Sequence, residues 1–178
     1  AQLGTSLGAS LGAPPIEVHA AFYVAEIAVA LTHLHAHGIL HRDITPDNVH
    51  LGADGHVVLV GFRFASVALE AQCLLPGTPY YLAPEVLSCN SYDGKVDFWS
   101  LGILTYELLA GHPPFGGNDV PTLLHDIFEA PVPYTGFHNA DARACIGALL
   151  QRNVEERPGA AADVREMAFF AELDWDGL

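Results

Sequence analysis

The residues best suited to chemistry lie in one short stretch, His41-Arg42-Asp43-Ile44-Thr45-Pro46-Asp47-Asn48. Within it, the side chains with reactive or ligating oxygens include the carboxylate of Asp43 and the carboxamide of Asn48. A carboxylate can take a proton from a reacting hydroxyl group. A carboxamide oxygen is one of the hard ligands that Mg²⁺ accepts. The stretch therefore holds a candidate general base and a candidate metal ligand.

A helix is predicted directly before this stretch, from Ile16 to about His37, because apolar residues recur at helical spacing on two faces. A helix that is apolar on two faces is mostly buried, and Gly38 ends it. One face carries Val18, Phe22, Ala25 and Val29, and the other carries Ile27, Leu31 and Leu34.

The segments after the stretch predict a mainly helical domain. Residues 49–60 are expected to form two short strands around Ala53-Asp54-Gly55, since Asp-Gly between apolar runs favours a hairpin. Residues 61–85 have little periodicity and form a long loop, which is usually functional in a compact domain. The most apolar helix, from Lys95 to Ala110, should be central and buried. Further helices are expected at about 119–129, 141–151 and 160–171.

Five motifs, taken in order, resemble the C-terminal lobe of a eukaryotic Ser/Thr protein kinase. They are His41 to Asn48, Gly77-Thr78-Pro79-Tyr80-Tyr81-Leu82-Ala83-Pro84-Glu85, Asp97-Phe98-Trp99-Ser100-Leu101-Gly102, Pro113-Pro114-Phe115 and Glu156-Arg157-Pro158. The second motif and the closing Phe169-Phe170 and Asp174-Trp175 are most similar to the AGC group, nearest its ribosomal S6 kinase-like branch.

The resemblance covers roughly residues 16–176 and implies the fold. We expect a protein kinase-like C-lobe over 16–178, mainly α (α+β) with one small β-hairpin. Residues 1–15, rich in Gly, Ala and Ser and ending in two prolines, are expected to be a linker or disordered tail. The N-terminal lobe, which normally completes the ATP site, is expected to be absent from these 178 residues.

The resemblance also implies roles in a reaction that uses ATP and Mg²⁺. Asp43 would be the catalytic base, and Thr78 would contact it. Asn48 would bind Mg²⁺ and His50 would lie beneath the adenine of ATP. These assignments follow the logic of phosphoryl transfer, in which a hydroxyl is aligned with the γ-phosphate and cations absorb charge.

Other matched residues are expected to hold the structure together. Asp97 would accept backbone hydrogen bonds from the catalytic loop, and Glu85 would form a buried ion pair with Arg157. His41 and Phe62 match an apolar stack that joins the two kinase lobes. A sixth residue, Arg42, matches the arginine that binds an activation-loop phosphate.

Several positions depart from the kinase pattern. The metal-binding Asp-Phe-Gly motif is Gly61-Phe62-Arg63, so a carboxylate is missing. Thr45 replaces a lysine near the γ-phosphate, and His50 replaces an apolar residue under adenine. The phosphorylated residue of the activation loop aligns with Leu74, which cannot be phosphorylated. One alternative is that the side chain of Arg63 takes the metal's place as a fixed cation.

The composition argues against nucleic-acid and membrane functions and favours a cytoplasmic or nuclear protein. The formal net charge of −14 argues against binding a nucleic-acid backbone, which needs a basic surface. No apolar run reaches the ~18 residues that span a bilayer, so no membrane role is expected. Three cysteines without CxxC spacing are expected to be reduced, buried thiols of a cytoplasmic or nuclear protein. His33 and His37 at helical spacing leave a metal site open as a lesser alternative.

Three functions remain open at this point. The first is a pseudokinase that acts as a binding or scaffolding module, with a protein or its own N-terminal lobe as partner. The second is an active or weakly active Ser/Thr kinase, which would also have a substrate protein. The third is a fragment without independent function. The missing carboxylate at Gly61 favours the first, because Asn48 alone is a poor Mg²⁺ site.

Overall fold

The computed structural model describes residues 5–10, 17–67, 77–117 and 119–178. Seven α-helices lie within these ranges: α1 (Leu7–Ser10), α2 (Glu17–Ala36), α3 (Pro84–Leu87), α4 (Lys95–Ala110), α5 (Val120–Phe128), α6 (Ala140–Leu149) and α7 (Ala161–Arg165). The same ranges contain four short strands: β1 (Ile39–Leu40), β2 (Val49–Leu51), β3 (Val57–Leu59) and β4 (Ser66–Val67). The described chain is therefore mainly helical, as the sequence predicts.

Helix α4 is the centre of the fold, and the prediction of a buried helix from Lys95 to Ala110 is confirmed. Phe98 and Leu101 face a core shared with α2, α7 and the C-terminal residues. Trp99 and Ile103 face a second core, which includes residues of α3, α5 and α6. A helix buried on two sides can fix the position of every loop that contacts its ends.

Helix α2 starts and ends within one residue of its predicted bounds. It buries a stripe of small and branched side chains, namely Ala20, Ala21, Val24, Ala25, Ile27, Ala28 and Leu31. Val29, which the sequence places on an apolar face, is 40% exposed instead. The buried face of α2 is therefore made largely of small side chains, and it differs from the two faces that the sequence pattern predicts.

The predicted hairpin is present, but it is accompanied by a second strand pair. Strands β2 and β3 are antiparallel, with Val49 opposite Leu59. Strands β1 and β4 also pair, with Ile39 opposite Val67. The one small hairpin is thus confirmed, and the second strand pair is an addition that the sequence does not predict. Two-residue strands carry no periodic pattern, and this pair joins segments that are distant in sequence.

The expectation of a linker or disordered tail over residues 1–15 is also wrong for residues 5–10, which are the part of this segment that the structure describes. Helix α1 lies within that segment, and Leu7 is only 2% exposed and belongs to the main core. Ser6 pairs with His50 as an isolated β-bridge, and the backbone N–H of Leu51 donates to the Thr5 carbonyl at 3.1 Å. Residues 1–4 and 11–15 lie outside the described ranges.

The helices in the last third of the chain follow the sequence except at the end. Helices α5 and α6 match their predicted positions within two residues. The helix expected at 160–171 is shorter, because α7 ends at Arg165 and a separate 3₁₀ turn covers Ala168–Phe170. This break turns the chain so that Phe170 enters the core, where it is 1% exposed.

The cysteines only partly follow the expectation of reduced thiols. Cys145 is free and buried, and burial raises the pKa of its thiol to about 12. Cys89 is disulfide-bonded, so the expectation is wrong for this residue. Cys73 lies outside the described residues. No helix in the described part of the chain is long and apolar enough to cross a membrane.

Candidate functional site

Asp97 anchors the loop that carries the candidate catalytic residues. It lies in the first turn of α4 and is fully buried. Its Oδ2 accepts hydrogen bonds from the backbone N–H of His41 at 2.9 Å and from His35 Nε2 at 2.8 Å, and its Oδ1 accepts from the Arg42 backbone N–H at 2.7 Å. Three donors compensate for burying the carboxylate. The start of the loop is therefore fixed to the central helix.

The structure brings Asp43, Asn48 and Thr78 together. The Thr78 hydroxyl donates to Asp43 Oδ1 at 3.2 Å. Asn48 Nδ2 donates both to Asp43 Oδ2 at 2.7 Å and to the Asp43 carbonyl at 2.8 Å. Asn48 occupies this place because Pro46–Asn48 forms a single 3₁₀ turn that closes back on the loop. A carboxylate held in this way can accept a hydrogen bond from a hydroxyl group placed beside it.

Gly61 stands opposite Asn48 and supplies no side chain. Its backbone is left-handed, with φ of 78°, and it precedes a 3₁₀ turn over Phe62–Phe64. Thr45, which replaces the expected lysine, is 4% exposed and brings no charge. Mg²⁺ in proteins is usually held by one or two carboxylates together with phosphate oxygens and waters. Asp43 and Asn48 are bonded to each other and Gly61 adds no carboxylate, so the residues present fit a Mg²⁺ ion poorly.

His41 and Phe62 are in contact, with ring centroids 4.8 Å apart. His41 is fully buried, and its Nε2–H donates to the Val60 carbonyl at 2.9 Å while its Nδ1 accepts from the Asp43 backbone N–H at 3.3 Å. These partners define the neutral tautomer with the proton on Nε2. His41 thus joins the loop to the segment that carries Gly61.

Arg42 is held by groups that the sequence did not indicate. Its backbone φ is 65°, a strained value for a residue other than glycine. Its Nε donates to the Phe64 carbonyl at 2.6 Å, and its Nη1 donates to the Tyr92 hydroxyl at 3.1 Å. Leu74, aligned with the phosphorylated residue of related kinases, lies outside the described residues. No local sequence pattern could have found Tyr92, which is fifty residues from Arg42.

Glu85 and Arg157 form a buried ion pair. Arg157 Nη1 donates to Glu85 Oε1 at 2.6 Å and Nη2 donates to Oε2 at 3.1 Å. Arg157 is 2% exposed and Glu85 is 8% exposed. Arg157 also donates to the carbonyls of Gln151 and Lys95, and its guanidinium lies 5.1 Å from the ring centroid of Trp99. The pair joins α3, at the end of the long loop, to α4 and the segment before α7.

A second acidic group near the loop was missed by the sequence reasoning. The Tyr81 hydroxyl donates to Glu107 Oε2. Burial, together with this hydrogen bond, raises the pKa of Tyr81, and burial also raises the pKa of Glu107. The negative charge of Asp47 also raises the pKa of both groups. Tyr81 and Glu107 lie 26 residues apart, so their contact depends on the tertiary fold.

The remaining candidate residues have other contacts. His50 lies in β2, and its ring nitrogen Nε2 is 3.2 Å from the Asp47 carbonyl. Arg63 is exposed, and its guanidinium lies 5.0 Å from the Phe64 ring centroid, which gives no support to a cation in the metal's place. The rings of His33 and His37 are 4.5 Å apart. In the described ranges, no group of three or more His, Cys, Asp or Glu is placed to hold a metal ion.

Comparison with known proteins places these features in a family. The family model described as "Protein kinase domain" matches residues 13–170. The chain is 41% identical to serine/threonine-protein kinase sck1 of Schizosaccharomyces pombe, over 91% of this chain and 24% of that protein. It is 38% identical to human serine/threonine-protein kinase Sgk2, over 92% of this chain and 46% of that protein.

A third relative agrees with the branch that the sequence motifs indicate. The chain is 38% identical to the putative ribosomal protein S6 kinase alpha-1 of Caenorhabditis elegans, over 86% of this chain and 20% of that protein. The AGC-type resemblance is therefore confirmed. The chain spans less than half the length of each of these relatives.

Proposed function

The chain belongs to the protein kinase domain family, related to the AGC Ser/Thr kinases, and from this premise we propose that it no longer transfers phosphate. It acts instead as a binding or scaffolding module with the kinase fold. Its partner is a protein surface or an N-terminal kinase lobe, and its location is cytoplasmic or nuclear.

The observation that carries the proposal is the glycine at position 61. Phosphoryl transfer depends on metal ions that bridge the phosphates and neutralise developing charge. Gly61 provides no oxygen ligand, and Asn48 is bonded to Asp43. Losing metal-dependent stabilisation of the transition state slows a reaction tenfold for every ~1.4 kcal/mol. A loss of several kcal/mol removes physiologically useful activity.

The supporting observation is that the contacts that build the loop remain. Asp97 keeps its three donors, and Glu85 keeps its bidentate contact with Arg157. These contacts serve the fold and need neither metal nor nucleotide. A rigid loop that retains its shape can present a surface to a partner at little entropic cost.

The partner surface lies beside the loop. Phe62 is 46% exposed, and Val67, at the end of β4, is 52% exposed. Exposed large apolar side chains on one side of a protein are typical of interaction sites when they form a contiguous patch. In proteins of this family the same side of the C-lobe faces the N-terminal lobe, so either that lobe or another protein would cover these residues.

A phosphorylation assay tests the proposal. The chain, in the longest form that its gene encodes, is incubated with Mg²⁺, ATP and a basic peptide substrate, and its Asp43→Asn variant is the control. The expected result is no phosphate incorporation above the Asp43→Asn level. Mg·ATP-dependent phosphorylation that Asp43→Asn abolishes would contradict the proposal.

The second candidate function is that of a weakly active Ser/Thr kinase, and one observation favours it. Asp43 and Thr78 lie within hydrogen-bonding distance of each other, as the base and its neighbour in a working site would. This alternative predicts that Mg·ATP raises the melting temperature, because any ligand that binds only the folded state stabilises it. A melting temperature that does not respond to Mg·ATP supports the module.

A further inference from the structure

The space next to Gly61 is filled by the side chain of Asn48. A Cβ atom placed on Gly61 would lie 2.0 Å from Asn48 Oδ1, 2.4 Å from its Cγ and 3.1 Å from its Nδ2. Non-bonded carbon atoms normally stay about 3.5 Å apart or more. Any side chain at position 61 would therefore collide with the carboxamide in its present position.

Asn48 is not free to move aside without breaking other contacts. Its backbone N–H donates to the Thr45 carbonyl at 3.0 Å, and its own carbonyl accepts from the Val60 backbone N–H at 3.0 Å. Its Nδ2 makes the two hydrogen bonds to Asp43. Because the backbone is fixed on both sides, only a side-chain rotation could make room, and that rotation would break the bonds to Asp43.

We infer that positions 48 and 61 constrain each other. Glycine at 61 permits the present position of the Asn48 side chain, and Asn48 in that position excludes a side chain at 61. This mutual exclusion is called the lock below. Restoring an aspartate at position 61 alone therefore does not rebuild a metal site. The inference deepens the proposed function and rests on it, since it concerns how the same site lost its metal. It assigns Asn48 a structural role in place of the metal-ligand role that the family resemblance implies.

Two effects at position 61 must be separated in any test. Gly61 has φ of 78°, where any residue with a Cβ is strained. Gly38, at the end of α2, has φ of 71°, and nothing lies within 4 Å of its Cβ position. Gly38→Ala therefore reports backbone strain alone, whereas Gly61→Ala reports strain together with the collision.

The first experiment measures melting temperatures of the full chain with these substitutions. Gly38→Ala should lower the melting temperature by roughly 2–6 °C, and Gly61→Ala should lower it about twice as much. In an Asn48→Ala background, where the carboxamide is gone, Gly61→Ala should lower it only as much as Gly38→Ala does. Equal losses for Gly61→Ala in both backgrounds would overturn the lock.

The second experiment restores the missing carboxylate. Gly61→Asp should lower the melting temperature at least as much as Gly61→Ala does, and added Mg²⁺ should restore none of the loss. Gly61→Asn is the matched variant, with the same size and backbone strain but without the charge. A Mg²⁺-dependent recovery seen with Gly61→Asp and not with Gly61→Asn would overturn the inference.

The outcomes separate the lock from the proposed function. If Gly61→Asp gains a Mg²⁺ response while the unaltered chain transfers no phosphate, the lock fails and the proposed function stands. If the unaltered chain transfers phosphate, the proposed function fails, whatever the coupling between positions 48 and 61.

Discussion

Removing one partner of the ion pair between Glu85 and Arg157 should destabilise the chain strongly, and the two partners should not be equivalent. In Glu85→Leu, the guanidinium of Arg157 stays buried and charged, because arginine does not lose its proton in proteins. In Arg157→Leu, the Glu85 carboxylate and the carbonyls of Gln151 and Lys95 all lose their donor. The side of the pair that is removed therefore decides how large the loss is.

The magnitude follows from the burial and bonding of the pair. Arg157 is 2% exposed and makes both of its contacts to Glu85 within 3.1 Å. Breaking a buried pair by removing one partner typically costs about 3–5 kcal/mol. The bonds of Arg157 to the Gln151 and Lys95 carbonyls remain in Glu85→Leu, so the lower half of that range is expected. For a chain of this length, 3 kcal/mol corresponds to a loss of roughly 6–12 °C in melting temperature.

Urea unfolding followed by circular dichroism measures these losses. Glu85→Leu should cost about 3–4 kcal/mol at neutral pH. Arg157→Leu should cost at least as much, because it also leaves the carbonyls of Gln151 and Lys95 without this donor. The double variant should lose less than the sum of the single losses, since it leaves neither charge unpaired.

The control is an exposed ion pair on the same chain. Arg165 and Asp176 approach to 3.9 Å, with side chains 55% and 91% exposed. Surface pairs contribute about 0–1 kcal/mol, so Asp176→Ala should leave the free energy of unfolding nearly unchanged. If Glu85→Leu proves as mild as Asp176→Ala, the claim that the buried pair holds the long loop to the helices is wrong.

Three further predictions concern contacts that the structure revealed. Leu7→Ala should cost about 2–4 kcal/mol in urea unfolding, because the side chain is 2% exposed in the core. Tyr92→Phe should cost about 1 kcal/mol, since it removes the hydroxyl that accepts from Arg42. The hydrogen bond to Glu26 raises the pKa of His56. The positive charge of His56 therefore stabilises the folded chain fully below the ordinary histidine pKa, and this stabilisation is lost as the pH rises through the raised pKa. The melting temperature of the unaltered chain relative to His56→Gln should therefore fall as the pH rises beyond the ordinary histidine pKa of 6.5.

Each of these has a matched control. Val120→Ala removes an apolar side chain that is 66% exposed and should change stability by less than about 0.5 kcal/mol; an equally small effect of Leu7→Ala would mean that the segment is a tail after all. Tyr80→Phe removes the hydroxyl of a tyrosine that is 39% exposed and should match the unaltered chain. Glu26→Gln should abolish the pH-dependent difference, and its persistence in that variant would assign it to another group.

The sequence predicts the parts of this fold that have local causes. Helix α4 is apolar over 16 residues and ends at Gly111, which has the left-handed backbone of a helix cap. The hairpin between β2 and β3 follows from Asp54-Gly55, and Gly55 has φ of 88°. In each case the residue type determines the backbone over a few positions, so no tertiary information is needed.

The parts that the sequence does not predict depend on distant partners. The contact between Arg42 and Tyr92 spans 50 residues, and that between Tyr81 and Glu107 spans 26. The residues next to each tyrosine in the sequence do not indicate which distant side chain its hydroxyl contacts. The sequence predicts a linker where α1 forms, because glycine and serine, which disfavour isolated helices, flank Leu7, whose burial in the core holds this turn in place.

The contacts of Asp43 and Asn48 bear on why glycine at position 61 would suit a chain with the proposed function. Asn48 Nδ2 lies 2.7 Å from the Asp43 carboxylate and 3.1 Å from where a Cβ at position 61 would be. A carboxylate at 61 would therefore face that of Asp43 across one side chain. Like charges this close disfavour each other's ionised form unless a cation lies between them. Without Mg²⁺, a carboxylate at position 61 would repel that of Asp43. Glycine at 61 avoids this repulsion, and Asn48 still donates its hydrogen bonds to Asp43. Under the proposed function, losing the metal and losing the carboxylate would therefore be linked changes at one site.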